Sequence, residues 1–327
     1  MDGLPYMIPR VHVRHFTTDD FNEWDRLVDE SWNGTFLHKR RFLAYHGERF
    51  TDVSLIIEDD KGQLIGVFPA AIDPAGPNRV VSHPGSTYGG LVHNNSLVGS
   101  GLLEALRAIV ETYRELGIHT LGYKAIPYIY HSVPTADDLY ALFCLKAKAY
   151  RCSLSSTVDL DNRPPLSKRR KQALDKAAKH GVHVECGENF LERYWSVLEE
   201  NLATKHDAKP IHSLAEMRHL CSIFPRNIKC VVGIHDGELV AGVILFQHGK
   251  VVHTQYIASK QQSPDTSALE MVIEHSLNQS KAGGMRYFDF GTSNEPDSGL
   301  LNDGLHWFKS KFGAGSVQHD YFELSLH

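Results

Sequence analysis

The chain has 327 residues, 42% apolar and 22% charged, with a formal net charge of −5, a balance that suits two globular cores and excludes general affinity for nucleic acid or anionic lipid. Its five cysteines, Cys144, Cys152, Cys186, Cys221 and Cys230, contain no CxxC pair, which excludes a disulfide frame or a zinc ribbon. The 20 histidines include no HxH or HExxH, so no metal is expected. No apolar run approaches the roughly 20 residues of a membrane helix, and Met1 to Arg10 lacks an apolar signal core. A cytoplasmic protein without a membrane partner is the expectation.

In chain order, Asp19–Ser31 opens with an acidic turn suited to a helix N-terminus. Ser54–Asp59 and Leu64–Ile72 flank Asp60-Lys61-Gly62-Gln63 and predict a β-hairpin. Val80-Val81-Ser82-His83 starts a third strand and leads into Ser86-Thr87-Tyr88-Gly89. A helix follows, with Leu102, Leu103, Leu106, Ile109, Val110, Tyr113 and Leu116 on one face, capped at Gly117. Ile118–Tyr123 is then a short strand, and Asn162-Arg163-Pro164-Pro165 breaks regular structure.

The second half repeats that order. Asn189–Asn201 takes the place of the first helix, and Cys230–Ile234 and Leu239–Gln247 flank His235-Asp236-Gly237-Glu238 as a second hairpin. Val251-Val252-His253 starts the third strand and reaches Thr254-Gln255-Tyr256-Ile257. Leu269, Val272, Ile273, Ser276 and Leu277 form a helical face ending at Gly283-Gly284, and Met285–Phe290 closes the copy. The offset drifts from 175 residues at the hairpin glycines to 170 at the histidines and 167 at the capping glycines, as loop-length differences require. Five features recurring in one order predict an internal duplication.

This order, helix, hairpin, strand, polar loop, helix and strand, resembles the GNAT superfamily of acyl-CoA-dependent N-acyltransferases, and two units in one chain resemble its FemAB-type tandem branch. Three segments carry the likeness: the basic run Ser167-Lys168-Arg169-Arg170-Lys171-Gln172 through His180-Gly181-Val182, Tyr287-Phe288-Asp289-Phe290-Gly291-Thr292-Ser293, and Gly304-Leu305-His306-Trp307-Phe308-Lys309-Ser310-Lys311-Phe312-Gly313. Within the branch, Trp32–Leu37, His83–Leu91 and the C-terminal segment are similar to bacterial acyltransferases of nucleotide-linked amino sugars, the dTDP-3-amino-3,6-dideoxyhexose 3-N-acyltransferases among them.

The resemblance implies an α/β (α+β) fold of two tandem GNAT-like units, residues 1–158 on the acceptor side and 159–327 on the acyl-CoA side. Each would be a mixed, mostly antiparallel sheet flanked by helices, with a cleft between them. It implies acyl transfer from acyl-CoA, as co-substrate, to the amino group of a nucleotide-linked (dTDP-) amino-deoxy sugar for surface polysaccharide such as O-antigen. The alternatives are a FemAB-type peptidyltransferase using aminoacyl-tRNA on a cell-wall precursor, which the net charge disfavours, and a non-catalytic binding module. One departure stands out. The family's glycine-containing phosphate loop is replaced by Ser259-Lys260-Gln261-Gln262-Ser263-Pro264-Asp265-Thr266-Ser267, in which Thr266 and Ser267 can cap the helix and Lys260 can meet phosphate.

Acyl transfer to an amine needs a neutral, aimed nitrogen, an oxyanion donor and a proton for the leaving thiolate. Asp289 or His253 is the expected base and Tyr256 the thiolate donor. His253 and Tyr256 are equally readable as half-buried strand residues, and Asp289 as the cap of the turn after it. Ser259, Lys260, Gln261, Thr266, Ser267, Asn294 and Lys309 are the expected CoA contacts. His38, His83, Ser86, Thr87, Tyr88, Lys124, Tyr128 and Tyr130 are the expected acceptor contacts, with aromatic plates for a base and polar groups for a diphosphate. Trp32 reads as a core anchor, and the basic run Lys168–Lys171, with Lys176 and Lys179, as a solvated helix face, with contact to tRNA or CoA phosphates as the alternative.

Overall fold

The computed structural model describes residues 10–260, 266–295 and 298–327. The chain divides into two compact units, residues 1–153 with 318–327 and residues 154–317. The expected division at 158/159 therefore lies earlier, between Ser153 and Leu154, and the last ten residues belong to the first unit. The Pro-Pro break marks the end of a strand, whereas the division falls within one.

In the first unit, β1 (Val11–His15) precedes α1 (Phe21–Glu30) and α2 (Arg40–Leu43), followed by β2 (Leu55–Asp59) and β3 (Leu64–Phe68). The predicted strand Leu64–Ile72 is interrupted: Pro69 lacks an N–H and cannot donate to a ladder, and pairing resumes in β4 (Ala71–Asp73). Next come β5 (Gly76–Val81), β6 (Val92–His93), α3 (Ser100–Glu115), β7 (Thr120–Lys124) and α4 (Asp137–Cys144). One sheet has the order β1-β2-β3-β6. In the other strand set, β4 pairs antiparallel with β5, β5 pairs parallel with β7, and Tyr321–Ser325 returns antiparallel to β7. Leu102, Leu106, Ile109 and Tyr113 of α3 are buried against Leu55, Ile57, Val80 and Leu121. Each such side chain contributes about 1.5–3 kcal/mol of burial.

In the second unit, residues from Leu154 on in β8 (Lys148–Asp159) lead to α5 (Lys168–Lys179), β9 (His183–Cys186), α6 (Leu191–His206) and α7 (Leu214–Ile223). Then come β10 (Ile228–His235), β11 (Glu238–His248), β12 (Val251–Ser259), α8 (Ala268–Ala282), β13 (Tyr287–Thr292), α9 (Asp303–Ser310) and the start of β14 (Gly315–Ser325), which from Gln318 on belongs to the first unit. The strand order is β8-β13-β12-β11-β10-β9, with β12 and β13 parallel and the pairs from β9 to β12 antiparallel. Asp236 and Gly237 both have positive φ, 50° and 77°, the conformation that lets a two-residue turn follow strand twist.

The duplication extends to the helix ends. After α3, Gly117 N–H bonds Arg114 O and Ile118 N–H bonds Tyr113 O; after α8, Gly284 bonds Lys281 and Met285 bonds Ser280. Both are the glycine-based motif that satisfies the last carbonyls. Val272, Ile273 and Leu277 of α8 pack on Val252, Phe288 and Phe290, with Ala177 of α5 in the same cluster. Since strand residues alternate faces, His253 and Asp289 point to the opposite side of the sheet, the side of α6.

Candidate active site

β12 and β13 pair only from Val251–Tyr287 to His253–Asp289, although β12 continues to Ser259 and β13 to Thr292. The strands part immediately beyond this residue pair. Asp289, with no exposed surface, lies between Phe288 and Phe290, which fill the core on the other face. Its Oδ2 is 2.8 Å from His253 Nδ1, and its Oδ1 accepts from Thr157 Oγ1 at 2.9 Å and from Gly291 N–H at 3.2 Å. A carboxylate facing Nδ1 selects the Nδ1–H tautomer and leaves the lone pair on Nε2. The arrangement can therefore hold an imidazole as a proton acceptor. His253 is at once a half-buried strand residue and the partner of this carboxylate. Asp289 also accepts from the Gly291 N–H of the turn after it, the capping contact open to it in the sequence.

Gly291 has φ +71°, and a Cβ there would lie 3.1 Å from His253 Cε1. The glycine supplies the left-handed conformation that ends β13 and leaves space for the imidazole. Lys309 of α9 closes the same turn: Nζ donates to Gly291 O at 3.0 Å and Thr292 O at 2.7 Å. Burial pushes its ammonium down to about 8, with the Asp289 carboxylate opposing the shift. The expected CoA contact at Lys309 is thus a buried clasp on the strand end, only 5% exposed.

His253 and Tyr256 are three residues apart, a spacing that normally sends side chains to opposite faces. A register shift pairs Ile244 with Tyr256 and Leu245 with Thr254, leaving Gln255 as the extra residue of a bulge. Tyr256 consequently joins the α6 side, edge-on to Trp195 at 5.5 Å, while Ile257 packs in the core on the α8 side. The Tyr256 hydroxyl accepts His212 N–H at 3.2 Å and lies 2.7 Å from His212 Nδ1. Burial raises its pKa above the usual phenol value, which keeps it protonated and able to donate.

Ser259 ends β12, and its carbonyl accepts from Asn201 Nδ2 at 2.7 Å. Lys260 lies 3.4 Å from Glu238. Gln261 lies outside the described residues. Thr266 is buried. Ser267 occupies the N-cap of α8 with φ 56°, but its side chain makes no capping bond. This corrects the expected hydroxyl cap: the left-handed backbone at Ser267 does not aim the hydroxyl at the first-turn N–H groups, whose partial positive charge remains uncapped by it. Asn294 spends its amide internally, accepting from Leu154 N–H at 2.9 Å and donating to Gly299 O at 2.8 Å.

In the first unit, three expected acceptor contacts prove to be packed interior groups. His38 is 1% exposed; Nδ1 accepts from Thr35 N–H at 3.0 Å, which leaves Nε2–H to donate to Gly89 O at 3.1 Å. Desolvation drives its pKa down to about 4, so it is neutral. Tyr88 and Tyr130 are buried with ring centroids 4.8 Å apart, and Tyr88 OH donates to Thr35 Oγ1. Direct ligand contact by His38, Tyr88 or Tyr130 is therefore corrected to a structural role, because aromatic packing wins where loops cross a core.

His83 is also buried, with φ 54°, and its ring lies 4.8 Å from that of His46. Desolvation, then His46, lowers its pKa to about 3. Lys124 Nζ donates to the carbonyls of His83, Pro84 and Ser86, fastening the 83–86 loop; burial lowers its pKa to about 8. Ser86 Oγ has no partner among the described residues. Thr87 and Tyr128 are exposed, Tyr128 by 63%. Trp32 is half-buried and tilted over His93.

Thr157 and His212 are the partners that sequence reasoning missed. The hydroxyl run Ser153, Ser155, Ser156, Thr157, buried in β8, was a usable signal, since buried hydroxyls need partners. Nothing in the spacing pointed to His212. Among the described residues no group of three or more His, Cys, Asp or Glu is arranged to hold a metal, and no helix is long and apolar enough to cross a membrane.

No curated protein matches the sequence. Solved structures do match in fold. FemX superposes with a TM-score of 0.69 at 13% identity, covering 96% of this chain and 97% of its own. L-PGS from Bacillus licheniformis gives 0.64 at 12% identity, covering 93% and 90%. The tandem GNAT protein from the clavulanic acid biosynthesis pathway gives 0.50 at 13%, covering 97% and 99%. The fold is a mixed α/β, GNAT-like one shared with tandem GNAT structures, and residues 166–297, which include His253 and Asp289, match the acetyltransferase (GNAT) domain family.

Proposed function

We propose that the protein is an acyl-CoA-dependent N-acyltransferase whose acceptor is the amino group of a nucleotide-linked (dTDP-) amino-deoxy sugar, serving surface polysaccharide synthesis in the cytoplasm. The observation that carries the reading is the His253–Asp289 pair at the point where β12 and β13 part, within the segment that matches the acetyltransferase family. His253 Nε2 takes a proton from the sugar ammonium, and the neutral amine attacks the thioester carbonyl. As the C–S bond breaks, the Tyr256 hydroxyl protonates the departing thiolate, and the second proton lost from the attacking nitrogen returns to the phenolate, leaving a neutral amide and a free thiol. Asp289 holds the imidazole in the accepting tautomer and balances its charge once protonated.

The donor is assigned to the second unit, where the N-terminal N–H groups of α8 and the Ser259–Lys260 strand end suit phosphate. The acceptor is assigned to the first unit, through Ser86, Thr87 and Tyr128. The FemAB-type reading, with aminoacyl-tRNA as donor, is the second one, supported by the likeness in fold to FemX. The test is incubation with paired acyl-CoAs and dTDP- or UDP-amino sugars while free thiol is monitored. Thiol release that requires both substrates and is lost in Asp289→Asn supports the proposal; no thiol from any pair, with turnover of aminoacyl-tRNA, replaces it with the second reading.

A further inference from the structure

The basic run that opens α5 is not simply a solvated face. Arg169, Arg170 and Lys311 converge on a cavity of about 340 Å³ that is also lined by Trp307 and Glu270. Three cations face one carboxylate, and that carboxylate meets Arg170 only at 3.6 Å. The neighbouring Arg163 has a full bidentate partner in Glu274, at 2.8 and 2.7 Å. Arg170 is itself buried, its guanidinium stacked 3.7 Å over the Phe312 ring, so its charge is held in place at the cavity wall, with Glu270 as a long-range ion-pair partner. Trp307 is 53% exposed, unusual for a side chain of that size. Lys311 Nζ stands 4.3 Å above its ring and Arg169 is 6.0 Å away.

We infer that this cavity is a nucleotide subsite: Trp307 receives an aromatic base, and Arg169, Arg170 and Lys311 receive the phosphates attached to the same nucleoside. The inference rests on the acyl-CoA reading in one respect, namely that the occupant is the phosphorylated adenosine end of a small donor. An exposed cation–π contact is worth only about 0.5–1 kcal/mol, whereas base–aromatic stacking is worth about 1–3 kcal/mol. A ligand carrying both groups therefore gains by drawing the two exposed cations off the indole and onto phosphate, where charge-assisted bonds are stronger. The bound end of the donor is thereby fixed at a site distinct from the His253–Asp289 pair, without any new covalent step.

The test is calorimetric titration of the full chain with adenosine 3′,5′-bisphosphate, pantetheine, CoA and a CCA trinucleotide. Wild type, Trp307→Ala, Trp307→Phe and Arg169→Glu/Lys311→Glu are compared, with thermal melts to verify folding. The bisphosphate is expected to bind wild type and Trp307→Phe, and to weaken about tenfold or more in Trp307→Ala and in the charge reversal. Pantetheine binding should be the same in all four proteins. No bisphosphate binding to wild type, or equal binding to every variant, overturns the subsite. If that happens while CoA still binds and supports thiol release, the donor reading stands and only the subsite falls. If the bisphosphate binds through Trp307 but no acyl-CoA yields thiol, the subsite stands and the donor reading falls. Preference for the trinucleotide over the bisphosphate overturns the assignment to a small donor.

Discussion

Replacing Asp289 by Asn tests the chemistry with almost no change in shape. The carboxylate accepts hydrogen bonds from Thr157 Oγ1, Gly291 N–H and His253 Nδ1. An amide oxygen can keep the first two, which come to Oδ1. Its NH₂ then faces His253 Nδ1, and two donors cannot share that contact, so the imidazole must move its proton to Nε2. The nitrogen required as base is lost while the backbone is retained. General-base help is worth about 10²–10⁴-fold, so kcat should fall by that factor, about 3–5 kcal/mol in barrier. Removing the charge-assisted bond costs about 1.5–3 kcal/mol, offset in part because a fully buried charge disappears too. Thiol release measures the first quantity and urea unfolding the second, and ¹⁵N shifts of the His253 ring report the tautomer without any substrate. A ring that stays Nδ1-protonated in the variant, or a kcat within threefold of wild type, would refute the reasoning.

Three further perturbations follow from the same geometry. Gly291→Ala places a Cβ 3.1 Å from His253 Cε1 at φ +71°; about 1–2 kcal/mol of stability should be lost and kcat should drop more than KM rises, so an unchanged kcat contradicts the positioning role. Lys309 has its pKa depressed to about 8 from 10.5, so between these values the unfolded chain holds more protons and stability rises with pH. Wild type should gain about 3 kcal/mol relative to Lys309→Met from pH 8 to 10.5, and urea midpoints that run parallel across that window would show the ammonium is not desolvated. Gly89→Ala brings a Cβ within 1.8 Å of Ser82 O, a backbone clash expected to cost about 3 kcal/mol; a melting temperature equal to wild type would mean the 83–90 loop is not held as described.

The acid side has its own expectation. His38 is neutral in the fold, with a pKa near 4 against an ordinary 6.5. The unfolded chain binds the extra proton between those values, so stability is full above pH 6.5 and falls by about 3 kcal/mol as pH drops toward 4. His38→Gln should flatten that slope, as measured by denaturant midpoints from pH 4 to 7, and an equally steep slope in the variant would assign the lability elsewhere.

The duplicated plan was readable from residues because its signals are local. Asp236-Gly237 determines a tight turn, Gly117 and Gly284 end helices through positive φ, and the α3 and α8 faces repeat at helical spacing. Asp289 and His253 were also nameable, since strand ends concentrate chemistry. Their contact was not, because it depends on a parallel register between strands separated by a helix. The bulge at Gln255, which carries Tyr256 to the α6 side, comes from pairing with β11 and leaves no mark in the local pattern. Burial of His38, Tyr88 and Tyr130 was likewise decided by which segments the core brings over them. Local sequence thus set turns, caps and periodicities, which a few neighbouring dihedrals determine. Side-chain partnership, exposure and proton position awaited long-range packing, because each is a property of what the folded chain places opposite a residue.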